Sequence, residues 1–180
     1  MKSMDKTGVT VFIRFSKQSD KLILMELVNG VYDACEQHLW LENHKRLTEE
    51  MFESYHSNQE LLVAERCDII VGCVVMSSVG DGAKDMSMLV IQPEFRRLGI
   101  GNLLVSYVID SALKDKCRCV RVESLYPSHQ PDPWKQTLIK WYKSLGFQFV
   151  KNVDIAEQFP DFVNHLAVET TFSIFEKSIG

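Results

Sequence analysis

The stretch from Met86 to Ala112 places the strongest constraint on the fold, because it joins an apolar strand to an amphipathic helix through a basic, glycine-containing turn. The strand is Met86–Ile91, and the turn carries Arg96 and Arg97 followed by Gly-Ile-Gly. Glycine lets the backbone approach a ligand closely, and the first turn of a helix presents unpaired N–H groups at the positive end of its dipole. Two arginines add charge that suits phosphate oxygens. The stretch therefore predicts a binding site for a phosphate-bearing ligand.

Composition limits the class of protein. The chain has 180 residues, of which 46% are hydrophobic and 24% charged, and this suits one globular domain over residues 1–180. The net charge of −4 argues against nucleic acid as a partner. No apolar run approaches the ~20 residues that span a bilayer, and the first six residues lack an apolar leader segment. We therefore expect no membrane partner and a cytoplasmic location.

The five cysteines are expected to be reduced thiols. Their odd number, together with the missing secretion signal, favours a reducing compartment over a disulfide framework. Cys117 and Cys119 form a C-x-C pair, but no second pair lies at zinc-finger spacing. No metal site is therefore predicted.

The first third of the chain predicts one strand followed by two helices. Val9–Phe15 is β-branched and aromatic, which is typical of a strand. Ser19 is a candidate cap for a helix whose apolar face runs from Leu24 to Leu39. Asn29-Gly30 predicts a kink or a break in that helix. A second, shorter helix is predicted after Thr48, because Thr48 is a good cap and two glutamates follow it in the first turn.

The middle of the chain predicts an antiparallel meander that continues into a parallel pair. Glu60–Glu65 and Ile69–Val79 are separated by a hairpin-length connection, and a glycine turn leads from them to the Met86 strand. The helix that starts near Gly99 separates the Met86 strand from another strand at Arg118–Leu125. We expect these two strands to be parallel neighbours, joined by a right-handed crossover.

The last third predicts one helix and two more strands. Asp132 and Pro133 suit the N-cap and N1 positions of a helix that Gly146 ends, and Phe147–Val153 follows as a strand. A polar segment then precedes the last predicted strand, His165–Glu176. The order of elements is that of one mixed α/β (α+β) domain.

The glycine turn by itself does not identify its ligand. Leu104 stands where the dinucleotide fingerprint G-x-G-x-x-G needs its third glycine, and the lysine and hydroxyl residue of a P-loop do not follow Gly101. A tight strand-to-helix connection with solvated arginines is the plain alternative to a binding site. The choice between them depends on the surrounding motifs.

Two motifs together resemble the GCN5-related N-acetyltransferase (GNAT) superfamily. Arg96–Gly101 has the form Arg-x-x-Gly-x-Gly, which is similar to the turn that binds the pyrophosphate of acetyl-CoA in that family. Leu138–Phe147 has the form L-x-x-W-Y-x-x-L-G-F and resembles the second signature of the family, in which a tyrosine precedes Gly-Phe. The motifs follow the order of the family, and the resemblance covers Glu60–Val150.

The resemblance implies a GNAT-like acyl-CoA N-acyltransferase fold: a mixed, mostly antiparallel sheet with a splayed parallel pair, flanked by about four helices. It also implies acetyl-CoA (coenzyme A) as the cosubstrate. Main-chain groups of Leu89, Val90 and Ile91 would contact the pantetheine arm. The pyrophosphate would be held by the turn residues Arg96, Arg97, Leu98, Gly99, Ile100, Gly101 and Asn102.

Two side chains are candidates for the proton transfers of amine acetylation. The reaction needs a proton acceptor for the amine, donors for the developing oxyanion and a proton for the leaving thiolate. By resemblance, Tyr142 is the candidate general acid at the sulfur, and a strand N–H near Val90 is the candidate oxyanion donor. Packing in the apolar face of its helix is the alternative for Tyr142. Glu123 is the candidate base acting through water, and a salt bridge with an arginine is its alternative role.

Four further polar residues have no assigned catalytic role. Lys135 stands where many relatives carry asparagine, and we interpret it as an exposed helix lysine, with a phosphate contact as the alternative. His129 lies in a proline-bearing loop and is expected to be solvated. Glu36 and Glu42 are candidates for lining an amine pocket, although a solvated helix face explains their spacing equally well.

The sequence therefore predicts an acetyl-CoA-dependent N-acetyltransferase that acts on a primary amine, in a small molecule or a peptide, by direct attack in a ternary complex. Three alternatives stay open. One is an acyltransferase with another acyl donor or a hydroxyl acceptor, and one is a non-catalytic CoA-binding sensor or subunit. The third is a nucleotide-binding protein, which the missing P-loop lysine disfavours. The sequence does not determine the acceptor, and no feature decides whether the chain forms a homodimer.

Overall fold

The computed structural model describes residues 1–42, 44–158 and 160–179. Its strands are β1 (Lys2–Met4), β2 (Thr10–Phe15), β3 (Leu61–Arg66), β4 (Ile69–Ser78), β5 (Ala83–Ile91), β6 (Cys119–Pro127), β7 (Gln148–Val153) and β8 (Thr170–Ser178). Its α-helices are α1 (Lys21–Glu36), α2 (Glu49–Ser57), α3 (Ile100–Lys114), α4 (Pro133–Ser144), α5 (Ile155–Gln158) and α6 (Pro160–Val163).

The strands form one sheet in the order β1-β2-β3-β4-β5-β6-β8-β7. Every neighbouring pair is antiparallel except β5 and β6, which are parallel and joined through α3. The predicted mixed, mostly antiparallel sheet with one parallel pair is therefore confirmed. The last strand, β8, is inserted between β6 and β7 and does not extend the edge of the sheet. The order of elements along the chain did not indicate this insertion.

Helices cover both faces of the sheet with the apolar stripes that the periodicity predicts. Leu104 and Val108 of α3 belong to the core on one face, and Leu24, Val28 and Phe52 of α1 and α2 belong to the core on the other. All five side chains are fully buried. Burial of such a side chain contributes roughly 1.5–3 kcal/mol, so these contacts fix the helices to the sheet.

The local capping predictions are confirmed by hydrogen bonds and backbone angles. Thr48 and Asp132 each accept a hydrogen bond from the backbone N–H three residues later, at 3.3 and 2.9 Å, and so cap α2 and α4. Gly146 ends α4 with a φ of 93°. Cys67 and Asp68, with φ of 50° and 62°, form the tight hairpin turn between β3 and β4, where positive φ matches the twist of the strands.

The predicted break in α1 at Asn29-Gly30 is wrong, because the helix runs unbroken through both residues. The Asn29 amide instead anchors the loop before α2. Its Oδ1 accepts from the N–H groups of Arg46 and Leu47 at 2.9 and 3.0 Å, and its Nδ2 donates to the Leu47 carbonyl at 3.0 Å. An Asn-Gly pair is a turn signal only where no tertiary contact engages the asparagine.

Two element boundaries also differ from prediction. Ser19 lies in a 3-10 turn (Gln18–Asp20), and α1 begins after it at Lys21. The last strand begins at Thr170 and not at His165, and the polar segment before it contains α5 and α6. The later start of the strand is explained by a tertiary contact. The His165 carbonyl accepts a hydrogen bond of 2.8 Å from the Leu41 N–H, in the segment that follows α1. That segment competes with β6 for the backbone of these residues.

Candidate active site

Strands β5 and β6 pair only along their first halves. In the part of the chain that the structure describes, their register runs from Ala83–Cys119 to Met86–Val122 and ends there. Met88 has a φ of 48°, and the register with β4 shifts between Cys73 and Val75. Such a bulge bends a strand and increases its twist. The second half of β5 therefore leaves β6, and a gap opens between the two strands.

The turn after β5 has the backbone geometry of an anion site. Arg97 and Gly99 have φ of 64° and 87°, and Gly99 is the N-cap of α3. The first backbone bond of the helix runs from the Leu103 N–H to the Gly99 carbonyl at 3.1 Å. The N–H groups of residues 100–102 precede that bond and have no intrahelical acceptor. These groups lie at the positive end of the helix dipole and favour a bound anion.

The turn opens into a cleft of about 460 Å³, which we name the turn cleft. Leu98 does not line it: its side chain packs against the core, and its carbonyl accepts the N–H of Lys6 at 2.9 Å. The other nine predicted cofactor-binding residues line the turn cleft together: Leu89, Val90, Ile91, Arg96, Arg97, Gly99, Ile100, Gly101 and Asn102.

Helix α4 supplies the opposite wall of the turn cleft, and this wall was not predicted. Trp134, Thr137 and Trp141 line it. Trp141 Nε1 donates to Asn102 Oδ1 at 3.0 Å, and the Arg96 guanidinium lies over the Trp134 ring, 4.7 Å from its centroid. These two contacts tie α4 to the turn. The spacing of the tryptophans predicts an apolar helix face, but it does not indicate what that face contacts.

A second cavity, of about 210 Å³, adjoins the turn cleft, and we name it the inner pocket. The two share Leu89 and Leu138, so they adjoin each other at these side chains. The charged side chains in the wall of the inner pocket are Glu36, Arg46, Glu123 and Lys135. Most of the wall is aromatic or aliphatic, and includes Tyr32, Trp40, Met51, Tyr55, Met86, Met88, Leu125, Tyr142, Ile155 and Phe172.

Tyr142 lies in the wall of the inner pocket, one helical turn after Leu138. It is 4% exposed, and its ring packs edge-on against Phe147 with 5.6 Å between centroids. Burial raises the pKa of the Tyr142 phenol well above its usual range, because the phenolate would lose its hydration. Tyr142 is therefore both a packed core residue and a protonated phenol at the pocket.

Glu123 lies in the wall of the inner pocket, on β6. Burial, assisted by the negative charge of Asp85, raises the pKa of Glu123 to about 7, while Arg121 and Arg46 oppose the rise. No salt bridge within the described chain involves Glu123, and Arg121 is held by Glu176 at 2.9 Å. The alternative role of Glu123 as the partner of an arginine is thus not observed. A carboxyl group with a pKa near neutrality is suited to proton transfer.

Lys135 departs most from its prediction. It is 5% exposed and forms a salt bridge with Glu36, which is 6% exposed, so the interpretation as a solvated lysine is wrong. Its helix places it against α1, which the sequence does not reveal. Glu36 therefore lines the inner pocket, whereas Glu42 is exposed and lies outside it. His129 is exposed as expected, and its ring lies 3.2 Å from a Glu169 oxygen.

Arg46 is the site residue that sequence reasoning misses. It lies in the loop between α1 and α2, and its side chain lines the inner pocket. The guanidinium lies over the Tyr32 ring, 5.1 Å from its centroid. No local pattern separates Arg46 from the exposed Lys45 beside it, because the position of the loop is set by the distant Asn29.

No group of three or more His, Cys, Asp or Glu side chains among the described residues is arranged to hold a metal ion. None of the described helices combines the length and apolar character needed to cross a membrane. All five cysteines are free thiols.

A comparison with family models identifies the family to which the site belongs. The model described as the acetyltransferase (GNAT) domain matches residues 57–149, slightly more than half of the chain. The match contains both β5 and the turn, and it ends just after α4. No curated protein matches the sequence significantly.

Solved structures share the fold at low sequence identity. N-acetylglutamate synthase from Neisseria gonorrhoeae, complexed with coenzyme A and N-acetyl-glutamate, has a TM-score of 0.68 at 16% identity over 94% of this chain and 35% of that chain. This chain therefore spans about a third of that enzyme. The ribosomal-protein-alanine N-acetyltransferase from Brucella melitensis has a TM-score of 0.67 at 16% identity, covering 93% and 99%. The yncA protein of Salmonella typhimurium, with its cofactor acetyl-CoA, has a TM-score of 0.66 at 17% identity, covering 94% of each chain.

Proposed function

The chain belongs to the GNAT acetyltransferase family, and we propose that it transfers the acetyl group of acetyl-CoA to a primary amine by direct attack in a ternary complex. One observation carries the proposal. The anion-binding turn lies at one cavity, and the buried Tyr142 and the half-buried Glu123 lie at a second that shares Leu89 and Leu138 with it. A thioester bound along the first cavity would reach the proton-transfer groups of the second.

The turn cleft suits the donor. The N–H groups of residues 100–102 and the Arg96 and Arg97 side chains would hold the pyrophosphate, and β5 from Leu89 to Ile91 would bind the pantetheine amides through its backbone. Coenzyme A and acetyl-CoA are present in the Neisseria gonorrhoeae and Salmonella typhimurium neighbours, which supports the same donor here. The thioester supplies the carbonyl that the amine attacks.

The inner pocket suits the proton transfers. Glu123, whose pKa is about 7, accepts the amine proton through water at neutral pH. A backbone N–H of β5 near Val90 would donate to the oxygen on which negative charge develops. The Tyr142 phenol, kept protonated by burial, donates its proton to the leaving sulfur. Each role uses one group of this chain, and none of the described residues that line either cavity is a cysteine.

Thiol release measured with acetyl-CoA and a panel of amines tests the proposal. The Tyr142→Phe variant should lower kcat about 10²- to 10³-fold, because it removes only the acidic proton. Tyr107→Phe, on α3 and outside both cavities, is the matched control and should keep kcat within about twofold. Initial rates at varied donor and amine should give intersecting lines.

Three outcomes would contradict the proposal. Parallel lines would indicate a covalent acyl-enzyme and exclude direct attack. Retention of full kcat by Tyr142→Phe would remove this phenol from the mechanism. If wild-type protein binds acetyl-CoA but releases no thiol with any amine, the chain is a binding module and not an enzyme.

A further inference from the structure

Arg46 is held in the inner pocket by a rigid backbone connection. Its own N–H and the N–H of Leu47 both donate to Asn29 Oδ1, at 2.9 and 3.0 Å, and the Leu47 carbonyl accepts from the same side chain. Leu47 is fully buried beneath this connection. Because α1 carries Asn29, the loop that bears Arg46 moves with the wall of the pocket. The guanidinium therefore reaches the pocket from an anchored backbone position.

The aromatic wall orients this cation. The Arg46 guanidinium lies over Tyr32 at 5.1 Å and over Trp40 at 5.8 Å from the ring centroids. The N–H donors of the planar group lie in its plane, where a carboxylate can accept two parallel hydrogen bonds. The Tyr32 side chain also interacts with the guanidinium, and Nε is left without a hydrogen-bond partner. Arg46 thus retains hydrogen-bonding capacity of the kind that recognises a carboxylate.

Arg46 lacks a salt-bridge partner in the described part of the chain, although the charges of Glu36 and Glu123 act on it at longer range. Among residues 1–42, 44–158 and 160–179 no salt bridge involves it, and its Nε is buried without a hydrogen-bond partner. The nearby Tyr32 is a neutral phenol, because burial raises its pKa to about 12. Glu36 is engaged by Lys135. A cation in such a place normally has a paired anion, since removing it from water is costly.

We propose that the acceptor is a small primary amine that carries a carboxylate and an apolar side chain, and that Arg46 binds this carboxylate while the amine lies toward Glu123. The assignment rests on the function proposed above. A single guanidinium without a salt-bridge partner suits a carboxylate better than a phosphate, whose higher charge is normally met by several cations. The volume of about 210 Å³ is below that of a typical drug-sized site, which favours an acceptor of amino-acid size.

The remaining charges of the pocket complement such an acceptor. An amino acid arrives as a zwitterion, with a cationic amine and an anionic carboxylate. Glu123 is the one acidic side chain of the pocket wall that is not in a salt bridge within the described chain, and it provides the acceptor for the amine proton. Tyr55, Met51 and Phe172 provide an apolar surface for the side chain. Each part of the zwitterion thus meets a group of matching chemistry.

Matched acceptors test the proposal with the full chain and acetyl-CoA at pH 9, where Glu123 is ionised. The acceptors are phenylalanine, its amide and phenethylamine, which share the side chain and differ in the carboxylate. For wild type, kcat/KM should be about 10- to 100-fold higher for phenylalanine than for the other two, the range expected for a charge-assisted hydrogen-bonded pair. Arg46→Gln should lose this preference, because its kcat/KM should fall for phenylalanine alone. Arg46→Lys should keep part of the preference. The matched control Lys45→Gln should keep all of it.

The opposing outcomes separate this inference from the proposed function. Equal kcat/KM for the three acceptors in wild type, or an equal fall on all three in Arg46→Gln, would overturn the carboxylate assignment and leave the acetyltransferase intact. A preference for O-phosphoethanolamine over β-alanine would assign Arg46 to phosphate instead. Failure to release thiol with any amine, while acetyl-CoA still raises the Tm, would overturn both. If Arg46→Gln does not fold, the kcat/KM preference of the wild type for phenylalanine and its partial retention in Arg46→Lys test the carboxylate assignment.

Discussion

At the scale of single residues, the turn between β5 and α3 depends on backbone angles that most residues avoid. Gly99 has a φ of 87° and Arg97 a φ of 64°. In this region a Cβ atom crowds the following carbonyl, at a cost of about 1–2 kcal/mol. Gly99 has no Cβ and avoids this strain at the N-cap of α3, whereas Arg97 has a Cβ and is strained. The turn is thus held in a strained form that brings the helix N-terminus to the cleft.

Alanine substitutions at two glycines should move stability in opposite directions. Gly99→Ala should lower the free energy of unfolding by about 1–2 kcal/mol, because the new Cβ is strained at positive φ. Gly30→Ala is the matched control. Gly30 lies in the middle of α1 with nothing within 4 Å of an added Cβ, so alanine should raise stability by about 0.5–1 kcal/mol. Urea denaturation measures the free energy of unfolding of both variants. A Gly99→Ala variant more stable than wild type would contradict the account of a strained turn.

Glu123 should impose an acidic limb on the pH profile of the reaction. Its pKa is raised to about 7, and only the ionised form accepts a proton, so kcat/KM should fall about tenfold per pH unit below 7. Glu123→Gln should lower kcat/KM and remove this limb. The assay should use an acceptor amine whose own pKa lies well away from 7, so that its ionisation is distinguished from that of Glu123. An unchanged limb in Glu123→Gln would exclude Glu123 as the base.

The folding stability of Glu123→Gln provides the control for its pH profile. A carboxyl group whose pKa rises from 4.5 in the unfolded chain to about 7 in the folded protein lowers stability as the pH rises through that interval. Glu123→Gln removes this effect and should be more stable than wild type above pH 7. After a discount for partial solvent exposure, the gain is on the order of 1 kcal/mol, or about 2–4 °C in Tm. A loss of rate would then not reflect unfolding.

At the scale of elements, a buried salt bridge joins α1 to α4 across the inner pocket. Lys135 and Glu36 come from helices about 100 residues apart in the chain, and both are almost fully buried. Removing two charges from water cancels much of their attraction, so such a pair adds little net stability. Breaking it is costly, because one charge is then left buried alone. The pair therefore fixes which way the two helices face each other.

A double substitution should recover most of the stability that a single one loses. Lys135→Met should lower the free energy of unfolding by about 3–5 kcal/mol, because it leaves Glu36 unpaired. Glu36→Leu combined with Lys135→Met should return it to within about 1 kcal/mol of wild type, or above it. Chemical denaturation of the three proteins measures the difference. Additive losses in the double variant would contradict the account of a coupled buried pair.

At the scale of the whole molecule, the site exists only when distant segments come together. The turn cleft needs β5, α3 and α4, and the inner pocket adds α1, the loop before α2, and β6. An unfolded chain has neither cavity. A ligand of the assembled site therefore binds the folded state alone and stabilises it by mass action.

Acetyl-CoA should accordingly raise the Tm. At a concentration of about 100 times Kd the stabilisation is about 2.7 kcal/mol, which is about 5–10 °C for a chain of this size. Gly101→Val should lose the shift, because an added Cβ already lies 3.4 Å from the Trp141 ring and the larger side chain must occupy the cleft. Differential scanning fluorimetry measures both. A full shift in Gly101→Val would contradict binding at the turn.

Much of the fold and the donor side of the site could be predicted from the sequence, because the relevant interactions are local. The cap at Asp132, the end of α4 at Gly146 and the turn at Gly99 depend on residues within one helical turn of each other. The apolar periodicity of α3 likewise depends only on its own spacing. These signals indicated the elements and the parallel pair, and nine of the ten residues predicted to bind the cofactor line the turn cleft.

Only the tertiary structure decided the rest, because those features depend on contacts between segments far apart in sequence. The Asn29 side chain stabilises a loop 17 residues away, and so an apparent helix break became the anchor of Arg46. Lys135 was buried by α1, and β8 was inserted beside β6. No local pattern carries such information, since an exposed and a buried lysine have the same neighbours in sequence. The sequence thus indicated the turn that we propose to hold the donor, and the packing of α1, α4 and the loop before α2 decided which side chains line the inner pocket.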